Sequence, residues 1–265
     1  MPEWIVIVLL GIIEGITEFL PISSTAHLLI AEHLLPRQSD LFNIVIQSGA
    51  VIAVLPLFPG RVRQFLFGWK EADTRDYTLK IAASFAVTGA GGMVLTRAGF
   101  KLPEALAPVA WALLAGGIGF VFMERWLRHK APKGSVTWAM ALLVGVGQLV
   151  AAAFPGSSRS GVTILLLLAA GLNRYAATEF SFLVGIPTML AAGGLKIIQA
   201  LHQVQPGAPP EAWGMVLLGF AVSAVVSFVA VKWLLRYVQT HTFTLFGYYR
   251  IVLAAVIFTA LLMSY

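Results

Sequence analysis

The stretch EGITEFLPISSTAH, residues 14–27, sets two glutamates four positions apart, a proline, three consecutive hydroxyl residues and a histidine inside an otherwise apolar run. On a helix Glu14 and Glu18 share one face, about one turn apart. Two like charges taken out of water must share a proton or hold a cation between them. The pair therefore suits a divalent ion bound through oxygen, or general acid and base work. An acidic pair facing water at a membrane edge would need neither, but the flanking Ile12, Ile13, Ile16, Phe19 and Leu20 leave little room for a solvated face. After Pro21, the hydroxyls of Ser23, Ser24 and Thr25 open a helix predicted over 24–34, and the N–H groups at a helix start favour phosphate. Plain N-capping would use only one of the three. His27, one turn in from Ser24, is placed to exchange a proton with that hydroxyl or with a leaving oxygen.

A second cluster, PGSSRSG at residues 155–161, surrounds Arg159 with Gly156, Ser157, Ser158, Ser160 and Gly161. An arginine in a membrane interior is expensive and needs a partner. Its planar fork suits a phosphate, and the glycines let backbone approach a ligand closely. Two simpler roles are a helix cap and neutralisation of Glu14 or Glu18. The cluster is no Walker loop, since it lacks the GK[ST] ending and a preceding strand. Taken together, two carboxylates, a histidine, hydroxyls and an arginine at one membrane depth form a set fit for phosphoryl transfer.

The elements that must position these residues are membrane helices. The 265 residues are 58% hydrophobic and only 11% charged, and the mean hydropathy is +0.85, values of a polytopic membrane protein rather than a soluble domain. The net charge of +6 reflects basic loops and gives no reason to expect nucleic acid as a partner. Absence of cysteine excludes disulfides, thiolate metal sites and a cysteine nucleophile. The N-terminus lacks the basic region and cleavage site of a signal peptide and is expected to stay in the fold.

Full spans are predicted at about 42–58, 78–96, 106–126, 180–201, 214–235 and 246–263. The remaining apolar stretches, 4–35 and 138–172, are each broken by a proline and a polar cluster, which belongs where protein or a wet cavity surrounds it. Gly11, Glu14, Pro21, Ser23 and Ser24 align without gaps on Gly145, Gln148, Pro155, Ser157 and Ser158 at one offset (145 − 11 = 134). This indicates a single membrane domain of two repeats, about 1–133 and 134–265. Each repeat would hold a re-entrant broken hairpin and three transmembrane helices. Basic residues at 59–77 (Arg61, Arg63, Lys70, Arg75) and 125–133 (Arg125, Arg128, Lys130, Lys133), with Lys232 and Arg236, mark the cytoplasmic side. Three spans per repeat make the repeats inverted, so that the broken elements meet near the membrane centre. If residues 4–20 were instead a plain span, this symmetry would be lost.

The motifs EGITEFLPISSTAH and PGSSRSG, with NRYAATEFSF at 173–182, resemble the bacterial undecaprenyl pyrophosphate phosphatase family, the integral-membrane bacitracin-resistance type. The likeness covers essentially the whole chain. It implies an all-α inverted-repeat fold in the bacterial inner membrane, a site open to the outer face, and a divalent cation, Mg²⁺ or Ca²⁺. The implied activity is hydrolysis of the terminal phosphate of undecaprenyl diphosphate, which recycles the lipid carrier of peptidoglycan synthesis and confers resistance to bacitracin. The family's acidic pair falls on Glu14 and Glu18 as catalytic residues and metal ligands, its hydroxyl and histidine on Ser24 and His27, and its phosphate-binding arginine on Arg159. Ser23, Thr25, Gln148, Gly156, Ser157, Ser158 and Ser160 are the expected substrate contacts. Ala26 stands where the family usually has glycine, and Asn43 where an acidic residue is common.

The rival class is a transporter or flippase for a polyprenyl phosphate lipid, because broken inverted repeats also build alternating-access carriers. A carrier needs charge compensation but no nucleophile or proton donor, so Ser24 with His27 separates the two. Phe42, Phe180, Phe182 and Leu183 either line a groove for the prenyl chain or pack the core. Glu32 and His33 read as interfacial or as residues supporting the ligands of the first element, and Arg174 with Glu179 as an ion pair beside the second cluster. The glycine-rich stretches 89–92 and 115–119 permit close helix contacts within one chain or between two copies in a homodimer.

Overall fold

The computed structural model describes residues 1–100, 105–128, 131–132, 134–202 and 212–263; Lys130 and Lys133, counted above among the basic loop residues, lie outside them. The described residues form eleven α-helices and no strands. In chain order these are α1 (Glu3–Thr17), α2 (Ser24–Leu34), α3 (Asp40–Val54), α4 (Pro59–Phe67), α5 (Ala72–Arg97), α6 (Leu106–Leu127), α7 (Trp138–Ala153), α8 (Arg159–Ala169), α9 (Arg174–His202), α10 (Trp213–Thr240) and α11 (Thr244–Met263). Six are long and apolar enough to cross a bilayer: Asp40–Leu57, Ala72–Arg97, Leu106–Leu127, Arg174–Gln199, Trp213–Thr240 and Thr244–Met263. They coincide with the six expected spans.

The two broken stretches become helix pairs too short to cross singly. At a rise of about 1.5 Å per residue, α1 with 15 residues and α7 with 16 fall short of a hydrocarbon core roughly 30 Å thick. Both breaks use the same device. Ser23 (φ 77°) and Ser158 (φ 68°) are the only non-glycine residues with positive φ among the described residues. Each N-caps the following helix, with its hydroxyl oxygen accepting from Ala26 N–H and Gly161 N–H respectively. Counted from these caps, the breaks are 135 residues apart (158 − 23), not the 134 of the gapless alignment. The second break carries one more residue between its proline and its cap. Ser24 and Arg159 are each the first residue of the helix that follows a break.

Packing follows the small residues. On α1, Gly15 lies so close to α10 that a Cβ there would meet Ser223 O at 2.7 Å; on α7, a Cβ at Gly145 would meet Ser84 O of α5 at 2.8 Å. Such approaches let membrane helices associate without large side chains. Hydroxyls reinforce them: Ser84 donates to Ala141 O at 2.6 Å, Thr88 to Gly145 O at 3.1 Å and Ser227 to Ala50 O at 3.2 Å. In the same way α3 packs on α9 and α10, and α6 on α11. Gly117 of the stretch 115–119 seats against Gly247 within the chain. Phe42, Phe180, Phe182 and Leu183 are all buried. They pack the core rather than line a groove, the aromatic pair Phe19 and Phe182 meeting edge to face at 4.8 Å.

At the basic end of the bundle, ion pairs tie the helix termini. Glu124, 2% exposed, accepts from Arg174 at 2.5 Å and from Phe243 N–H at 2.9 Å, and Glu179 pairs with Arg61 at 2.8 Å. The expected pairing of Arg174 with Glu179 is therefore incorrect. Residues five apart on a helix point about 140° away from each other, and each finds its partner on another element. Glu32 accepts from Asn43 at 2.8 Å, while His33 is exposed and bonds Leu29 O.

Candidate active site

Both helix starts created by the breaks open on one cavity of about 230 Å³. Its walls include Glu18, Ser23, Ser24 and Thr25 from the first break, and Gly156, Ser158 and Arg159 from the second. Gln47 of α3, Thr88 of α5, Gln148 of α7 and Thr188 of α9 complete the polar lining. Neither break could build this alone. The first brings carboxylate and hydroxyl, the second a guanidinium, and the N-terminal N–H groups of α2 and α8 add positive potential from both sides.

A short chain of hydrogen bonds crosses the cavity wall. Ser24 donates its hydroxyl hydrogen to Glu18 Oε2 at 2.6 Å, and Arg159 Nη2 donates to Glu18 Oε1 at 3.2 Å. Glu18 is 7% exposed and Ser24 8%, so both are shielded while still facing the cavity. Arg159 stands over the Phe19 ring at 5.5 Å. Its Nε and Nη1 are buried with no partner. Gly185 of α9 makes room for the guanidinium, since a Cβ there would come within 2.7 Å of Cζ. A permanent cation with unsatisfied donors in the wall of the cavity suits an anion.

Glu14, one turn before Glu18, is fully buried. Glu18 and Gln47 are its polar neighbours, neither at full hydrogen-bonding geometry to its carboxylate oxygens. Gln148 donates to Thr88 at 2.9 Å and leaves its own Oε1 buried and unpartnered. Orphaned buried oxygens are costly unless a ligand satisfies them. A donor set of carboxylate and amide oxygens, with no thiolate or imidazole, fits a hard divalent cation. Among the described residues no three acidic, histidine or cysteine side chains cluster, and Glu14 and Glu18 form the acidic pair beside the first break.

Of the residues expected from the sequence, Glu18, Ser23, Ser24, Thr25, Gln148, Gly156, Ser158 and Arg159 line the cavity, whereas Glu14, His27, Ser157 and Ser160 do not. Ser160 is fully buried and bonds Leu20 O at 3.3 Å and the Ser158 hydroxyl at 3.1 Å; Ser157 turns back to Ala151 O. His27 departs furthest from expectation. Its Nδ1 bonds Ser23 O and its Nε2 the Tyr249 hydroxyl of α11, both at 2.7 Å. Helical side chains tilt toward the N-terminus, which carries the His27 ring one turn back onto Ser23 O rather than onto the Ser24 hydroxyl. Two contributors from α11, Tyr249 and Arg250, left no sequence signal beyond one charge inside a predicted span. Arg250 reaches Pro21 O of the first break and Ser157 O of the second.

The model of the bacitracin resistance protein BacA family matches residues 7–256. Similar curated proteins include those named undecaprenyl-diphosphatase from Rhizobium etli (strain CIAT 652), 50% identical over 256 residues, from Rhizobium johnstonii, 48% identical, and from Xanthomonas oryzae pv. oryzae, 47% identical. In each comparison the match spans 96% of this chain and 96% of the relative. With this coverage and the broken-helix site in place, the chain belongs to the BacA family.

Proposed function

We propose that the protein is an undecaprenyl-diphosphate phosphatase that removes the terminal phosphate to give undecaprenyl phosphate, as the names of its relatives indicate. The observation that carries this reading at the level of chemistry is the Ser24, Glu18 and Arg159 relay on the wall of a cavity that both breaks line. Arg159, which lines the cavity, binds oxygens of the terminal phosphoryl group. Glu18 takes the proton from Ser24 as its Oγ attacks the terminal phosphorus. The bond from phosphorus to the bridging oxygen breaks, and undecaprenyl phosphate departs with the electron pair and the proton relayed through Glu18. Water then cleaves the phosphoserine, one hydrogen returning to Ser24 and one leaving with inorganic phosphate. Direct attack by water, with Ser24 only a ligand, would leave the short bond from Ser24 to Glu18 without a task.

A Mg²⁺ or Ca²⁺ ion held by Glu14 and Glu18 would neutralise diphosphate charge and satisfy the orphaned Glu14 oxygens. The prenyl chain finds an apolar groove of about 520 Å³ between α5 and α9. Thr88 and Thr188 belong to both groove and cavity, and Gly89, Gly92, Met93 and Leu195 continue the groove away from the basic end. The inverted repeat is supported by the paired breaks and by reciprocal packing. Exchanging the halves maps α1 on α10 to α7 on α5, and returns α3 on α9 and α6 on α11 to themselves. With the basic end in the cytoplasm, the site opens to the outer face of the inner membrane.

Phosphate release from a C15 to C55 prenyl diphosphate by purified protein in detergent, with Mg²⁺ or with EDTA, tests this reading. Metal-dependent release that Glu18→Gln abolishes is the expected result. No release from folded wild-type protein would overturn it in favour of a carrier, since a carrier without a gradient performs no hydrolysis.

A further inference from the structure

Arg250 is fully buried, and among the described residues it pairs with no carboxylate. Its guanidinium serves backbone carbonyls instead. Nη1 donates to Pro21 O at 3.2 Å, Nη2 to Ser157 O at 2.9 Å, to Gly156 O at 3.3 Å and to Ala112 O at 3.1 Å, and Nε to Leu113 O at 3.3 Å. Pro21 belongs to the first break, Gly156 and Ser157 to the second, and one side chain holds both. Glycines form its slot: a Cβ on Gly161 would stand 2.8 Å from Nη1, and one on Gly116 2.6 Å from Cζ.

We infer that Arg250 is a positioning residue for phosphoryl transfer, fixing the peptide planes of both breaks so that Ser24 and Arg159 face each other across one cavity. The inference rests on the hydrolase reading above. Carbonyls freed where a helix breaks inside a membrane have no water to turn to. A fork of five N–H donors can answer several of them at once, from different elements, in one fixed plane. A buried cation is an expensive way to satisfy carbonyls, and its use here goes with what those carbonyls control. Pro21 lies three residues before Ser24, and Ser157 two before Arg159. In a trans peptide the N–H points opposite to the C=O, so anchoring Ser157 O on Arg250 turns Ser158 N–H away from it. Ser158 lines the cavity, and among the described residues its N–H has no backbone acceptor. Arg250 thereby sets the relative position of nucleophile, guanidinium and a free amide without touching the substrate.

The test compares Arg250→Lys, which keeps the charge and loses the fork, with Gly116→Ala, which keeps Arg250 and fills its slot. Both are assayed in detergent with Mg²⁺ for kcat, KM and thermal unfolding. Misplacement of reacting groups by about 1 Å can cost on the order of 100-fold in rate. A kcat lower by about that factor is expected in each variant, with KM changed by less than about threefold. The double variant should be no slower than the slower single one, because both disturb one contact set. The inference is overturned if Arg250→Lys keeps wild-type kcat, if the two losses multiply in the double variant, or if activity falls only in proportion to unfolded protein. Lack of release from folded wild-type protein would overturn the hydrolase reading and this inference with it; normal release with an unaffected Arg250→Lys overturns this inference alone.

Discussion

Ser24 Oγ lies 2.6 Å from Glu18 Oε2 and donates its hydrogen to it. The other oxygen of the same carboxylate accepts from Arg159, so Glu18 joins a hydroxyl from one break to a cation from the other. In the proposed mechanism Glu18 deprotonates Ser24 while Arg159 orients it, and groups acting as a unit are far from additive. Ser24→Ala and Glu18→Gln are each expected to lower kcat by roughly 1,000-fold or more, and the double variant by little more than either. Steady-state kinetics on the three proteins checks this. Multiplied losses would mean that the two side chains serve separate steps.

Arg159 donates to Glu18 through Nη2, while its buried Nε and Nη1 have no partner among the described residues. Lysine in its place retains charge but cannot make two parallel bonds to a phosphate. Arg159→Lys is expected to lower kcat/KM by about 100-fold, in keeping with loss of a charge-assisted pair of hydrogen bonds. Gly185→Ala should weaken substrate in the same direction, because the new methyl displaces the guanidinium from its place over Phe19. Inhibition constants for inorganic phosphate or pyrophosphate in both variants supply a readout independent of turnover.

The unpartnered Glu14 oxygens make a prediction about metal. Glu14→Gln removes one of the two proposed charged ligands while preserving shape, and should raise the Mg²⁺ concentration for half-maximal activity by about tenfold or more, on the order of a lost ligand. Thermal stabilisation by Mn²⁺, followed without substrate, should shrink in parallel. A variant as responsive to the ion as wild type would remove Glu14 from the ligand set.

His27 bonds Ser23 O and Tyr249 rather than the cavity. A residue acting by holding the cap of α2 should be mimicked by loss of its partner. His27→Asn and Tyr249→Phe are expected to reduce kcat to similar and modest extents, about tenfold each, well short of Glu18→Gln. An inactive His27→Asn beside a fully active Tyr249→Phe would show that the imidazole reaches the substrate directly.

The six spans were legible because roughly 20 apolar residues with few charges have one stable solution in a bilayer. The breaks were legible for the opposite reason, since proline and hydroxyls in such a run demand compensation. Register within the breaks was not: the cap equivalence of Ser23 and Ser158 depends on a positive φ, which a serine does not advertise, and a gapless alignment slips by one residue. Partner choice was the other blind spot. Arg174 could be read as a cation at the start of α9, but its carboxylate sits on α6, 50 residues earlier. Arg250 is, by sequence, one charge inside an apolar span, and its five carbonyl acceptors come from three different segments. Spacing reports neighbours along a helix, and these contacts run between helices.

The most direct measurement of the account is acid-quenched single turnover with prenyl diphosphate labelled in the terminal phosphate, followed by mapping of label on the protein. Transient phosphorylation of Ser24 in the wild type, absent in Ser24→Ala together with phosphate release, is the expected result. An unlabelled enzyme whose Ser24→Ala variant still releases phosphate in a single turnover at the wild-type rate would contradict it.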